Sequence, residues 1–183
     1  MFIRSERLFL RPGWPEDWPE LLSRIADEAV VQNLAHAPWP FATGAARGDD
    51  TRLPHFIVTL PTSLAPADIV GAVGLHRGAD GVELAYWTAR DHWNKGYATE
   101  AVRAVLGLAR TLGHREIRAS QFIDNPASGR VLRKAGFCPT GEVRQRASIG
   151  RGQSAPAVIH AIALDGPCNC DGSDDGVPAM RAA

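Results

Sequence analysis

The sequence predicts a single α/β domain. Its 183 residues are the size of one medium domain, and 45% hydrophobic against 22% charged residues is typical of a globular protein. The order of segments completes the prediction: a strand, two short helices, three strands, a helix, a strand, a helix and two strands. We find no internal repeat and no sign of a second domain.

The first third of the chain predicts one strand, a helical pair and a loop. "RLFLRP" alternates with the period of a strand and ends at Pro12. "PEDWPELLSRIADEAVVQNLA" carries the apolar stripe of two short helices. Residues 36–54 are rich in Pro, Gly and Asp, so we expect a long loop of the kind that often walls a binding site.

The middle of the chain predicts three strands followed by a helix. "HFIVTL", "DIVGAVGLH" and "GVELAYWTA" are the strands, and the short "RGAD" between the last two predicts a hairpin. The helix begins near Gly96, keeps its apolar residues at i, i+3, i+4 and i+7, and stops at Gly113.

The last third predicts strand, helix, strand, strand and a tail. "REIRASQFI" is a strand, and "NPASGRVLRKAGF" is a helix closed by Gly136. "CPTGEVRQR" and "AVIHAIALD" are the final strands, so the domain spans residues 1–165. Residues 166–183 have too few apolar side chains to offset the entropy of ordering, and we expect a flexible tail.

Charge and cysteine content exclude several classes of protein. Twenty Lys and Arg residues balance twenty Asp and Glu residues, so we expect neither nucleic acid nor an acidic membrane as a partner. The charged N-terminus does not resemble a secretory signal, and no apolar run reaches the roughly 20 residues of a membrane helix, which favours a cytoplasmic protein. The three cysteines lack metal-site spacing, so we expect no metal.

The stretch "HWNKGYATEAVRA" is a candidate anion site. A strand that runs into a glycine turn and then a helix leaves free N–H groups at the positive end of the helix dipole. Such groups hold phosphate oxygens, and Gly96 lets the backbone approach a ligand closely. The stretch is neither a P-loop nor a three-glycine dinucleotide motif, so by itself it favours a tight structural connection over a binding site.

The stretch "DNPASGRVLRKAGF" predicts a second helix N-terminus. Asn125 is a good N-cap and Pro126 a good first helical residue. Ser128 then stands in the first turn, with its hydroxyl directed towards the start of the other helix. Two helix N-termini at the ends of neighbouring strands define a ligand crevice in an open α/β sheet.

Together these stretches resemble the GNAT superfamily of acyl-CoA-dependent N-acyltransferases. "RLFLRP", "ELAYWTARDHWNKGYATEAVRAVLGLA" and "NPASGRVLRKAGF" occur in the family's order, and they are most similar to the Rim-type branch of ribosomal-protein N-terminal acetyltransferases. The resemblance implies a mixed, mostly antiparallel twisted sheet of about six to seven strands flanked by helices. It also implies acetyl-CoA as co-substrate and direct transfer to an amine in a ternary complex.

The resemblance assigns the loop and the start of the first helix to the pyrophosphate of acetyl-CoA. The implied residues are Trp93, Asn94, Lys95, Gly96, Tyr97, Ala98 and Thr99. Trp93 stands where the superfamily usually has Gln or Arg, Asn94 where a small residue is usual, and Arg90 where Pro is common. These departures concern the detail of the loop and leave the Gly96 turn in place.

Other contacts with acetyl-CoA follow from the same resemblance. Backbone groups of Trp87 and Thr88 would pair with the pantetheine arm like an added strand. Asn125 would reach the pantetheine or the adenosine side, and Arg130 or Lys134 would meet a phosphate.

Glu83 and Ser128 are the candidate catalytic residues. Glu83 is the one ionisable group in the apolar "GVELAYW", where a carboxylate is costly unless it is used or paired, so it is either a general base or half of a structural ion pair. By analogy with the Rim-type branch, Ser128 would protonate the leaving thiolate, and the alternative is a capping role. Tyr86 carries another hydroxyl, but strand alternation directs it away from Glu83.

The acceptor is an amine, and the resemblance favours a protein N-terminus. Small-molecule amines such as amino acids, polyamines or antibiotics are an alternative, and so is an acyl-CoA sensor without turnover. The expected assembly is a monomer or homodimer. Residues that could line the acceptor pocket are Trp14, His36, Trp39 and Phe41.

Overall fold

The computed structural model describes residues 1–35, 53–62, 67–148 and 150–166. The strands within these ranges are β1 (Ile3–Arg4), β2 (Phe9–Arg11), β3 (His55–Leu60), β4 (Asp68–Gly78), β5 (Gly81–Thr88), β6 (Glu116–Phe122), β7 (Cys138–Ser148) and β8 (Gln153–Ala163). The helices are α1 (Trp18–Ile25), α2 (Glu28–Val31), α3 (Tyr97–Thr111) and α4 (Pro126–Ala135). Short 3-10 turns occupy Pro15–Asp17 and Arg90–His92.

All strands form one mixed sheet in the order β1-β2-β3-β4-β5-β6-β8-β7. Neighbouring strands are antiparallel except β5 and β6, which run parallel. The predicted fold class is confirmed, with eight strands instead of six to seven. One strand that the sequence did not predict is β1, whose Ile3 pairs with Leu10 of β2. Two residues are too few to show the alternation that identifies a strand.

The helices cover the sheet on both faces. The larger apolar core lies between the sheet and α3 and α4, where Val102, Val105 and Leu132 are fully buried. A second cluster joins α1 and α2 to β3, β4 and β5 and includes Leu21 and Trp87. Among the described residues, no helix is long and apolar enough to cross a membrane.

The turn between β7 and β8 packs tightly on the end of α2, and Gly150 permits this contact. A Cβ atom at Gly150 would lie 2.2 Å from the carbonyl oxygen of Val31. We therefore expect Gly150→Ala to lower the free energy of unfolding by about 2 kcal/mol, because backbone must move to admit the methyl group. Gly107→Ala is the matched control, since a Cβ at this position in α3 meets nothing within 4 Å and alanine favours helix by up to about 1 kcal/mol. Urea unfolding of both variants measures the difference, and equal effects would contradict this account.

His160 is a buried histidine whose two ring nitrogens have no hydrogen-bond partner among the described residues. Burial, with the charge of Arg133 adding to it, lowers the pKa of His160 to about 4. In the unfolded chain the pKa is about 6.5, so between these values the unfolded state binds a proton that the folded state does not. Stability should therefore fall as the pH drops below about 6.5.

Replacing His160 should make the free energy of unfolding depend less on pH below about 6.5. We expect the loss of unfolding free energy between pH 7 and pH 5 to be about 2 kcal/mol smaller in His160→Leu than in the wild type. Urea unfolding at the two pH values provides the measurement. The same loss in both proteins would show that His160 does not cause the acid sensitivity.

Candidate active site

A gap in the sheet marks the centre of the site. Among the described residues, the one position at which β5 and β6 pair is Glu83 with Arg118, so the two strands separate beyond that point. The chain runs from β5 towards α3 and from β6 into α4. Both helix N-termini therefore lie at the end of the sheet where the gap opens, which is the crevice that the sequence predicts.

The loop before α3 presents free backbone N–H groups. Asn94 has φ 61° and Gly96 has φ 82°, both left-handed, and Asn94 is the only described residue other than glycine with a positive φ. Asparagine tolerates this conformation better than most residues, which explains Asn94 where the family usually has a small residue. No side chain caps α3 at Gly96, so the N–H groups of its first turn remain available to an anion.

Arg7, in the turn between β1 and β2, holds the end of this loop. Its Nη1 donates to the carbonyl oxygen of Lys95 at 3.0 Å, and its Nε donates to Glu100 Oε2 at 2.8 Å. The guanidinium also lies 4.7 Å from the ring centre of Tyr97. The sequence does not predict this role of Arg7, because a contact across 88 residues leaves no local signal.

Arg24 of α1 holds the start of the same loop. Its guanidinium donates to Asp91 Oδ2 at 3.0 Å and to Asp68 Oδ1 at 2.5 Å. The imidazole of the buried His92 lies against the Asp68 carboxylate, with Nε2 3.1 Å from Asp68 Oδ2. The loop is thus fixed at both ends before any ligand binds, and fixing a binding loop in advance reduces the entropy lost on binding.

Other residues that the sequence predicts to contact acetyl-CoA lie in or beside this loop. Trp93 Nε1 donates to the carbonyl oxygen of Thr88 at 2.8 Å, so the loop folds back over the end of β5. Ala98 and Thr99 are half-buried in the first turn of α3. The Trp87 side chain packs in the cluster with α1 and α2, and its buried Nε1 has no hydrogen-bond partner in the described part of the chain.

The N-terminus of α4 brings two hydroxyl groups together. Asn125 Oδ1 accepts a hydrogen bond from the Ser128 N–H at 3.2 Å, which is the predicted cap. Tyr86 reaches this turn from β5, with its hydroxyl oxygen 2.8 Å from Ser128 Oγ. Arg130 is exposed two residues further along the helix.

Glu83 lies on the opposite face of the sheet and is paired. Its side chain is buried, and Oε1 accepts a hydrogen bond from Arg146 Nη2 of β7 at 2.8 Å. Its Oε2 faces His76 Nε2 at 3.7 Å. The strand alternation that directs Tyr86 away from Glu83 is confirmed by these contacts. The ion pair with Arg146 means that burial alone does not identify Glu83 as a base.

The β7–β8 turn closes one side of the Glu83 face. Arg151 donates from Nε to the carbonyl oxygen of Gln32 at 2.8 Å and forms a bidentate pair with Asp124 at 2.6 and 2.8 Å. Ser148 Oγ donates to the carbonyl oxygen of Leu34 at 3.0 Å. Asp124 directly precedes the Asn125 cap, so the turn connects the region after α2 with the start of α4.

The predicted acceptor pocket is described only in part. His36, Trp39 and Phe41 lie outside the described residues, as do Cys168 and Cys170. Trp14 is 48% exposed, and its ring stacks on the guanidinium of Arg11 at 4.0 Å. Cys138 opens β7.

Known proteins share this architecture. The chain is 35% identical to the uncharacterized N-acetyltransferase YoaA of Bacillus subtilis over 82 residues, which are 43% of this chain and 46% of that protein, so the match spans about half of the relative's length. Spermidine N-acetyltransferase from Vibrio cholerae, solved with CoA and spermine, superposes with a TM-score of 0.67 at 18% identity, covering 87% of this chain and 97% of that one. An acetyltransferase from Salmonella typhimurium that modifies the N-terminal serine of ribosomal protein L7/L12 gives 0.69 at 17% identity, covering 90% and 100%.

The two structural similarities concern the fold, since both identities are low. The family assignment rests on the sequence, where residues 7–138 match the model of the acetyltransferase (GNAT) domain. That range contains the β1–β2 turn at Arg7, the loop at Gly96 and the α4 cap at Asn125. The chain therefore belongs to the GNAT acetyltransferase family.

Proposed function

We propose that this protein is an N-acetyltransferase that moves an acetyl group from acetyl-CoA to a primary amine, and that the amine is a protein N-terminus. The observation that carries the proposal is the gap between β5 and β6, with the N-termini of α3 and α4 at its open end. The gap offers strand backbone to the pantetheine arm, and the loop offers N–H groups to the phosphates.

The residues around the gap fit acetyl-CoA. Asn94 to Thr99 would hold the pyrophosphate, with Gly96 giving close approach and Lys95 exposed beside it. Trp87 and Thr88 would pair with pantetheine, and Trp93, already bonded to Thr88, would cover them. Arg130 is exposed on α4, where it would meet a phosphate.

Acetyl-CoA supplies an activated thioester, and two protein groups would act on the atoms that change. Glu83 and Ser128 lie on opposite faces of the sheet, on either side of the gap. Glu83, directly or through a water molecule, would take the proton that the amine loses, with Arg146 fixing Oε1 while Oε2 accepts. Ser128 would meet the leaving thiolate at the positive end of α4. Direct transfer requires both substrates to be bound together.

The charges near Glu83 favour a protein N-terminus over a polycation. Two carboxylates of the β4–β5 hairpin are paired with arginines, Glu83 with Arg146 and Asp80 with Arg144. A polyamine needs unpaired negative charge, which neither of these two carboxylates supplies. An α-amine has a pKa near 8, against about 10.4 for a lysine amine, so it needs less assistance to lose its proton.

Two alternative functions are distinguished by one experiment. The similarity to a structure described as a spermidine acetyltransferase motivates a small-molecule acceptor, and an acyl-CoA sensor without turnover would use the same crevice. Thiol release from acetyl-CoA should be measured against N-terminal peptides, free lysine, polyamines and aminoglycosides. We expect release with N-terminal peptides. Thiol release only with a small amine would show that the acceptor is a small molecule and not a protein N-terminus. Binding of acetyl-CoA without thiol release for any amine would favour the sensor.

A further inference from the structure

Tyr86 is a half-buried polar side chain that the proposed chemistry does not use. Its hydroxyl oxygen lies 2.8 Å from Ser128 Oγ and 3.1 Å from the Ser128 carbonyl oxygen. The contact joins β5, on one side of the gap, to the first turn of α4, which follows the strand on the other side. Tyr86 therefore touches the candidate donor at the N-terminus of α4, beside the gap.

The two contacts of Tyr86 define two arrangements of hydrogen atoms. A phenol has one proton to donate, and a serine hydroxyl has one. In the first arrangement Tyr86 donates to the Ser128 carbonyl oxygen, and the Ser128 hydroxyl donates to Tyr86. In the second, Tyr86 donates to Ser128 Oγ, which leaves the Ser128 proton directed elsewhere. The two arrangements interconvert by rotation of the O–H bonds, without movement of a heavy atom.

We propose that Tyr86 is a positioning residue for acetyl transfer, which in the second arrangement holds the Ser128 hydroxyl as a hydrogen-bond donor to the leaving thiolate. This inference rests on the proposed function. As the C–N bond forms and the C–S bond breaks, the sulfur takes the electron pair and accepts the hydrogen bond from Ser128. Ser128 and Tyr86 keep their protons, and the proton lost by the amine goes to Glu83 or its water.

The surroundings of Tyr86 agree with a donor that does not ionise. Burial raises the pKa of Tyr86 to about 12, against the weaker lowering by the Ser128 hydrogen bond, so the phenol remains protonated at every pH at which the enzyme would work. The Asn125 cap fixes the backbone of Ser128, so only the hydroxyl needs to be oriented. A chain of two hydroxyls strengthens the terminal donor, because each hydrogen bond polarises the next.

A binding comparison tests the inference without turnover. CoA and desulfo-CoA share every contact except the thiol, which titrates near 8.5, like a cysteine. Calorimetry should show that the wild type prefers CoA over desulfo-CoA about tenfold more at pH 9 than at pH 6.5, because a hydrogen bond to an ionised group is stronger than one to a neutral group. In Tyr86→Phe and in Ser128→Ala, most of this increase in the preference for CoA between pH 6.5 and pH 9 should be lost. The double variant should be no worse than Ser128→Ala, since Tyr86 acts through Ser128.

Thr59→Val is the matched control. It removes a buried hydroxyl of β3, two strands away from β5, that donates to the Phe9 carbonyl oxygen at 2.9 Å, so it should lower stability and leave the pH-dependent preference for CoA unchanged. In turnover, Tyr86→Phe should lower kcat about tenfold with an unchanged KM for acetyl-CoA. The inference would be overturned if Tyr86→Phe kept the full increase in its preference for CoA between pH 6.5 and pH 9. It would also be overturned if the losses of the two single variants added up in the double variant. If no amine is acetylated, the proposed function fails, while the CoA comparison still decides the role of Tyr86.

Discussion

Glu83→Gln is expected to lower kcat by about 10²- to 10⁴-fold, the range found when a general base is removed. Glutamine preserves the size of the side chain and can still accept the hydrogen bond that Arg146 Nη2 donates at 2.8 Å. It cannot take the proton that the amine must lose. The KM for acetyl-CoA should change little, because Glu83 lies on the face of the sheet opposite to α3 and α4. Steady-state kinetics with the best acceptor from the amine panel provide the measurement.

Arg146→Gln separates this role from a structural ion pair. Removing either partner leaves a buried charge or dipole without its counterpart, so both variants should be less stable than the wild type. A general base adds an effect that appears only in Glu83→Gln. We therefore expect kcat to fall far more in Glu83→Gln than in Arg146→Gln, at temperatures where both are folded. Equal losses of kcat would show that the pair is structural and that the base lies elsewhere.

The fold could be predicted because its signals are local. Each strand except β1 carries its own local pattern, either alternation or a short apolar run, and α3 and α4 show helical periodicity with glycines at their ends, Gly113 and Gly136. The order of strands in the sheet is not local, and the sequence supplied it only through the family resemblance. β7 is the edge strand of the sheet in the order β5-β6-β8-β7, yet its Arg146 reaches Glu83 on β5, a contact that the sequence does not predict.

The candidate site likewise has some features that depend on neighbouring residues and others that depend on distant ones. The glycine turn at Gly96 and the cap at Asn125 depend on neighbouring residues, so they could be predicted from two short stretches. The ion pair of Glu83 with Arg146 spans 63 residues, and the contact of Tyr86 with Ser128 spans 42. No spacing rule connects such residues, since their distance depends on which strands are neighbours and in which register. Sequence reasoning could therefore name Glu83 and Ser128 but not the residues that hold them.

Gly96→Ala is expected to weaken acetyl-CoA binding at least about tenfold. Gly96 has φ 82° and lies directly before the free N–H groups of α3. A methyl group at this position would stand where the pyrophosphate must approach the backbone, and the left-handed conformation would strain alanine by about 1 kcal/mol. The first effect acts on binding and the second on stability, so a loss of affinity in Gly96→Ala alone leaves its cause open.

Gly113→Ala resolves this ambiguity, because Gly113 has the same φ of 82° at the other end of α3 and a Cβ there meets nothing within 4 Å. At Gly96 the nearest atom to such a Cβ is Arg7 Nη2 at 3.4 Å, so neither substitution is blocked by the protein itself. Both variants should lose about 1 kcal/mol of stability through the same backbone strain. Only Gly96→Ala should lose affinity for acetyl-CoA in calorimetry. Affinity that is unchanged in Gly96→Ala, or reduced equally in both variants, would show that the phosphates bind elsewhere, because strain alone cannot distinguish the two ends of one helix.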